Sequence, residues 1–177
     1  MADVGPDLPV PVPGLGPVGV PGGGALQAVV ARVIPGGPPE PDQWGPDVDR
    51  LETDVLPVVQ DLRISYYVLD GPCRILEYPR GNFRDGDPSC RDLVPFDAQA
   101  RADWDRMTNA VQRSGVRIDR IYRNGGIIYV QLPDSSWQYN WEYVYLPDGG
   151  SPPAATWPED QWTHIHGDWW FHRAHDD

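Results

Sequence analysis

The fold is decided by residues 137–145, with the sequence WQYNWEYVY, in which every odd-numbered position is aromatic. A period of two residues is typical of a β-strand, because successive side chains point to opposite faces of a sheet. A slip of one residue would exchange the two faces, so the alternation also fixes the register of this strand. We expect the aromatic face to meet the core, and Asn140 and Glu142 on the other face to meet solvent.

Patterns on both sides of this strand predict the other elements. The clearest helix covers residues 98–114, where Asp97 is a good N-cap, Gly115 follows the end and Trp104 lies in an apolar stripe of helical spacing. An earlier helix is expected from Asp47, with a kink at Pro57. A loop is expected over residues 79–95. Further strands are predicted by period and turn residues at 64–69, 73–78, 116–123, 127–132, 162–166 and 169–173.

This order of elements predicts an α+β fold for residues 47–177, in which an antiparallel meander of about five to six strands packs on one or two helices. The order, with a terminal strand that begins in Gly167-Asp168-Trp169-Trp170, resembles the ketosteroid-isomerase-like, or nuclear transport factor 2-like, superfamily over residues 47–174. The resemblance implies a cone-like sheet wrapped around helices and a pocket. A cystatin-like domain, with one helix against a meander, fits the order almost as well. Neither resemblance includes a motif that would carry over a catalytic residue.

The first 46 residues differ in composition from the rest of the chain. They contain 11 of the 21 prolines and 10 of the 19 glycines. Such a segment buries too little apolar surface to offset its chain entropy, so we expect a disordered leader or linker. It lacks the pattern of a signal peptide, which predicts a cytoplasmic protein for the sequence as given, or a secreted or cell-envelope protein if the true start lies upstream.

The charge of the chain excludes two classes of partner. It has 26 acidic and 14 basic residues, which give a formal net charge of −12. Nucleic acids and anionic membranes both bind through clustered cations, so neither is expected as a partner. Membrane insertion is not expected either, because it requires about 20 consecutive apolar residues and the sequence has no such run.

The two cysteines, Cys73 and Cys90, flank a stretch rich in Gly, Asp and Pro. One interpretation is a disulfide that closes this loop, which would contribute about 3 kcal/mol in the chain-entropy model. The other is a pair of free thiols in a reducing compartment. The sequence leaves both open.

Four histidines lie within the last residues of the chain and suggest a metal site at first sight. His164 and His166 alternate on one predicted strand and are expected to share a face. A two-residue turn at 167–168 would then direct His172 to the opposite face. Two ligands make a weak site, so the sequence predicts no metal and no cofactor.

The aromatic stripe is the candidate binding site, with the residues Trp137, Tyr139, Trp141, Tyr143 and Tyr145. It is either a core face or, because three of its members are tyrosines whose hydroxyl groups need partners, a contact surface or pocket wall. We expect a mixture, with the two end residues at the rim. The sequence thus predicts a non-enzymatic module that binds a protein or a small hydrophobic ligand. The alternative is a small cone-fold enzyme, of isomerase or hydrolase type, that acts on a hydrophobic molecule through a buried Asp, His or Tyr.

Overall fold

The described structure begins at residue 37. A computed structural model describes residues 37–69, 72–86, 90, 94–133 and 139–175, so most of the expected leader lies outside the described residues. The first helix, α1 (Pro41–Arg50), starts before the expected Asp47. Proline suits the first turn of a helix, since its missing N–H would have no partner there. The Trp44 ring stacks on Phe171 with ring centroids 4.3 Å apart, which attaches this first turn to the core.

Just before Pro57, where a kink is expected, the structure has a change of helix type. Helix α1 continues into a π-helical turn (Leu51–Val55) and then into helix α2 (Leu56–Leu62). The N–H of Leu56 donates to the carbonyl of Leu51, five residues back. Pro57 has no N–H to offer the regular ladder, and a wide turn just before it accommodates that gap.

Helix α3 (Ala98–Ser114) has the bounds predicted for it. Asp97 accepts a hydrogen bond at 2.6 Å from the N–H of Ala100, and Gly115 ends the helix with a left-handed φ of 65°. The stripe that includes Trp104 is buried against the sheet. Asp103 is buried beside this stripe. Its Oδ2 atom accepts a hydrogen bond from the Tyr78 hydroxyl at 2.8 Å, which compensates the burial of the carboxyl group.

The described strands form one open, mixed sheet of nine strands in the order β4-β3-β2-β1-β5-β6-β7-β9-β8. All neighbours pair antiparallel except β3 and β4, which are parallel. The α+β class is confirmed, but the expected number of strands is too low. The strands are β1 (Tyr66–Val68), β2 (Cys73–Tyr78), β3 (Gly81–Gly86), β4 (Val94–Pro95), β5 (Arg120–Asn124), β6 (Ile127–Gln131), β7 (Tyr139–Tyr145), β8 (Gln161–His166) and β9 (Trp169–His175).

The sheet has two packed faces. The helices cover the first, here called the inner face, and the main core lies between them and the strands. The opposite, outer face carries a smaller cluster of buried side chains, which come from strands and a connecting turn. The largest fully buried side chains of the main core include Trp169, Tyr67, Tyr143, Leu51, Ile64, Leu76 and Met107. The outer cluster consists of Tyr129, Val144 and Leu146, with Tyr122, Ile127, Trp162 and Trp170 packed against it.

Cys73 and Cys90 form a disulfide, which decides between the two interpretations of the cysteine pair. Their Cα atoms are 5.9 Å apart, within the usual range for such a bond. The bond attaches the start of β2 to the chain that precedes β4. Among the described helices, none combines the length and the apolar character needed to cross a bilayer.

Candidate binding surface

The predicted aromatic stripe lies on the inner face, and its middle belongs to the main core. Trp141 is buried and Tyr143 is 0% exposed, whereas Tyr139 and Tyr145 are half-buried at the two ends of β7. The Tyr143 hydroxyl donates to Asp47 Oδ2 at 2.8 Å. Burial raises the pKa of Tyr143, and the nearby Asp47 charge raises it further. Trp137 lies outside the described residues.

The expectation that Glu142 meets solvent is wrong. Its side chain is only 3% exposed on the outer face. Oε1 accepts a hydrogen bond from the Tyr122 hydroxyl at 2.6 Å, and Oε2 lies 3.0 Å from Nδ1 of His172. Asn140, expected at the surface with it, is half-buried and accepts a hydrogen bond from Gln131 at 2.9 Å. The polar face of β7 is therefore packed as well.

Strand register explains how these groups meet. Glu142 lies directly opposite His172 on β9 and opposite Gln131 on β6, and Tyr122 reaches it from β5. A buried carboxylate is costly unless hydrogen bonds and opposite charge compensate it. Burial raises the pKa of Tyr122, and the charge of Glu142 adds to the effect. The phenol therefore stays protonated and remains a donor to the carboxylate at physiological pH.

Aromatic side chains pack in pairs around this buried group. The Trp162 ring lies flat on His172, with centroids 3.8 Å apart, and Tyr122 stacks on Tyr129 at 4.7 Å. Members of each pair lie directly opposite one another on neighbouring strands. Rings stacked across strands stand upright on the sheet; Tyr122 and Trp162 remain partly exposed, whereas Tyr129 and His172 are buried. We call Tyr122, Tyr129, Trp162, His164 and Trp170 the outer aromatic surface.

Two indole groups of this surface have an unused donor. Trp162 and Trp170 are half-buried against Val144 and Leu146. Within the part of the chain that the structure describes, neither indole N–H donates a hydrogen bond. A Trp with an apolar body and a solvent-facing N–H is typical of interfaces. These two groups can donate to acceptors on a bound molecule.

The histidines are not arranged as predicted. His164 lies on the outer face opposite Trp170, and its Nε2 is 3.0 Å from the Gly167 carbonyl. A β-bulge between His164 and His166 reverses the alternation. His166 therefore lies on the inner side, with Nε2 3.2 Å from Asp49 Oδ1. His164 shares its face with His172, and the described residues contain no group of three or more metal-ligating side chains.

The outer site escaped sequence reasoning because its polar members looked like solvent-facing residues. The signal that could have found it is the pairing of Glu142 with His172, which requires the register between β7 and β9. Comparison of the chain with protein-family models, with curated proteins and with solved structures found no match. The geometry of the outer face is therefore the basis for assigning a function.

Proposed function

We propose that this protein is a non-enzymatic binding module and that its recognition surface is the outer aromatic surface. This keeps the class of function predicted from the sequence and moves the main contact from the odd-numbered to the even-numbered face of β7. The half-buried ends of the aromatic stripe, Tyr139 and Tyr145, remain secondary candidates. Trp141 and Tyr143 serve the core.

The observation that carries the proposal is the state of Trp162 and Trp170. Each buries part of its ring on the outer cluster and keeps an N–H without an acceptor among the described residues. Interfaces are enriched in such side chains because they combine a large apolar contact with one directional bond at a low entropy cost. The buried Glu142 contacts both Tyr122 and His172, which orders this part of the surface before a ligand binds.

The chemistry of the surface defines the ligand class. Upright aromatic edges favour a protein segment or small molecule that is largely apolar and carries exposed acceptors such as carbonyl oxygens. The net charge of −12 disfavours strongly anionic ligands. The Cys73–Cys90 disulfide supports placing the protein in an oxidising compartment, where such bonds persist.

We also propose that the nine-stranded sheet is an extended form of the cone-like architecture. The supporting features are the helix–strand–helix–strand order and the position of the helices on one face. The cystatin-like alternative accounts less well for the α1–α2 segment, because a single helix suffices in that arrangement.

A binding screen tests the proposed module. Wild type and Trp162→Ala/Trp170→Ala would be applied to arrays of peptides and of apolar small molecules, with Trp157→Ala as the matched control. Trp157 is an exposed Trp in the loop before β8 and is absent from the outer cluster. We expect the screen to find ligands whose affinity is at least tenfold lower for the double variant than for wild type and is unchanged for the control. No ligand for wild type, or equal binding by all three proteins, contradicts the proposal.

A second function is favoured by the contact between Glu142 and His172. A carboxylate at Nδ1 orients an imidazole, and the other ring nitrogen is then available as a general base. An enzyme that acts on a hydrophobic molecule would place its substrate beside Trp162, over His172. Turnover that disappears in His172→Gln while binding persists would favour the enzyme over the module.

A further inference from the structure

The two edges of the sheet differ in how they are protected. One edge, β4, has only two residues, and one of them is Pro95. Short edge strands and prolines are common protection against pairing with another chain. The other edge, β8, has six residues, Gln161–His166, and contains neither a proline nor an Asp, Glu, Lys or Arg. In the described sheet, one edge is therefore protected and the other is open.

Among the described residues, no backbone group bonds to the outward side of β8. β8 pairs with β9 on one side and is the last strand in the order of the described sheet. Alternate N–H and C=O groups of an edge strand point away from the sheet, where they can bond to an added strand. The only protective device within β8 is the bulge after His164, which leaves its first four residues regular.

We propose that β8 pairs antiparallel with β8 of a second copy of this chain, across a two-fold axis at Thr163. Such a contact is isologous, so one surface serves both subunits. It would join the two sheets edge to edge. The inference rests on the edge alone and does not depend on the proposed binding function.

The pleat of the strand selects the register. Residues opposite one another in antiparallel strands must share a face. Pairing Thr163 with itself matches inner with inner and outer with outer from Gln161 to Ile165. Pairing His164 with itself would place Trp162 of the outer face opposite an inward His166, because the bulge has reversed the alternation. Pairing Trp162 with itself matches only three residues of each strand.

The selected register also repeats a contact that the subunit already makes. It places Trp162 opposite His164 of the partner subunit on the outer face, and the reverse pair forms by symmetry. Within one subunit, Trp162 lies opposite His172 and His164 opposite Trp170, in both cases with rings in contact. The edge therefore presents the same combination of side chains that β8 and β9 use to pack together.

Charge opposes this association at long range. Two copies each carry a net charge of −12, although β8 itself is uncharged apart from its histidines. Repulsion between separated surface charges is screened by salt. The dimer should consequently be stronger at high than at low ionic strength, unlike a contact held by ion pairs.

The first measurement is the mass of the full chain by sedimentation equilibrium. We expect a concentration-dependent rise from 19.8 kDa toward twice that value, with tighter association when NaCl is raised from about 0.02 to 0.5 M. A monomer at about 1 mM chain in high salt overturns the proposal, since only an interaction weaker than millimolar would escape detection.

The second measurement tests the register by crosslinking. Thr163 and Gln161 are both exposed on the inner side of β8, so Thr163→Cys and Gln161→Cys are a matched pair. Under mild oxidation, two copies of the first variant should crosslink, because directly opposite Cβ atoms are about 5 Å apart. Two copies of the second would be about 13 Å apart along the strands and should not.

Near-ultraviolet circular dichroism of both variants would establish that they fold like wild type. Crosslinking of the Thr163→Cys variant that exceeds crosslinking of the Gln161→Cys variant at least tenfold supports the two-fold axis at Thr163. Equal crosslinking of both variants, or a dimer that does not crosslink through position 163, overturns it.

Discussion

The two faces of strand β7 are both buried, but different interactions hold them. On the inner face, Tyr143 packs among the helices and its hydroxyl reaches Asp47. On the outer face, Glu142 is also buried, but Tyr122 and His172 enclose it and no helix of the described residues does. The first face is stabilised by apolar area, and the second by a small polar network under aromatic rings.

This difference shows that burial in a sheet does not require a second layer of helices. Large side chains from adjacent strands can cover a polar residue between them, provided that its hydrogen bonds are satisfied. Substitutions on the two faces should therefore fail for different reasons. They can be ordered by the size of the expected loss in the free energy of unfolding.

The largest loss is expected for Tyr143→Ala. Removing a fully buried aromatic ring from the main core should lower the free energy of unfolding by about 4 kcal/mol, measured by urea denaturation. Tyr143→Phe is the matched control, since it keeps the ring and removes only the hydrogen bond to Asp47. If Phe were as damaging as Ala, the inner face would depend on the polar contact and the contrast between the faces would disappear.

Glu142→Ala is expected to cost about 3 kcal/mol, because it leaves His172 and the Tyr122 hydroxyl without their buried partner. Glu159→Ala, at an exposed position of the same residue type, should change the stability by less than about 0.5 kcal/mol. If both variants changed the free energy of unfolding equally little, Glu142 would face solvent, as the alternation of β7 predicts.

Tyr122→Phe should cost about 2 kcal/mol at neutral pH through loss of the bond to the carboxylate. The pKa of Tyr122 is raised in the folded state, so the folded protein holds this proton more tightly than the unfolded chain does. The stabilisation is complete below the usual tyrosine pKa and falls as pH rises above about 10. Wild type should thus lose stability faster than the variant between about pH 10 and 11, and parallel curves would show that this phenol is not coupled to folding.

The smallest effect is expected for Asn140→Ala, also on the outer face. Asn140 is half-buried and accepts a hydrogen bond from Gln131, and loss of a neutral hydrogen bond of this kind costs about 1 kcal/mol. Asn124→Ala, at an exposed strand end, is the control. A loss as large as that of Glu142→Ala would extend the tightly packed network to the end of β7.

The sequence predicted elements that depend on local signals. Helix α3 follows from its cap, its apolar stripe and its terminal glycine, and strand β7 follows from its alternation. Strand β3, in contrast, lies where the sequence predicts a loop. Its sequence GNFRDG has no β-branched residue and only one buried aromatic side chain, Phe83, so it lacks a local strand signal. Pairing with β2 along its whole length holds it in the sheet. Such pairing is a tertiary effect that local propensity does not report.

The outer site could not be predicted for a related reason. Period-two alternation separates two faces but does not say what covers each of them. The inner role of His166 depends on one bulge residue, Ile165, which no composition signal marks. The sequence alone allows either a disulfide or two free thiols at Cys73 and Cys90. The fold brings their Cα atoms to 5.9 Å, where the disulfide forms.

The disulfide also makes part of this protein a covalent ring. The ring runs from Cys73 to Cys90 and includes the turn between β2 and β3, where Arg80 is exposed. Trypsin that cuts after Arg80 would produce two polypeptides still joined by the sulfur bridge and by the β2–β3 ladder. On a gel, such nicked protein would migrate as one species until a reductant was added. A single band on a non-reducing gel therefore does not report an intact chain for this protein.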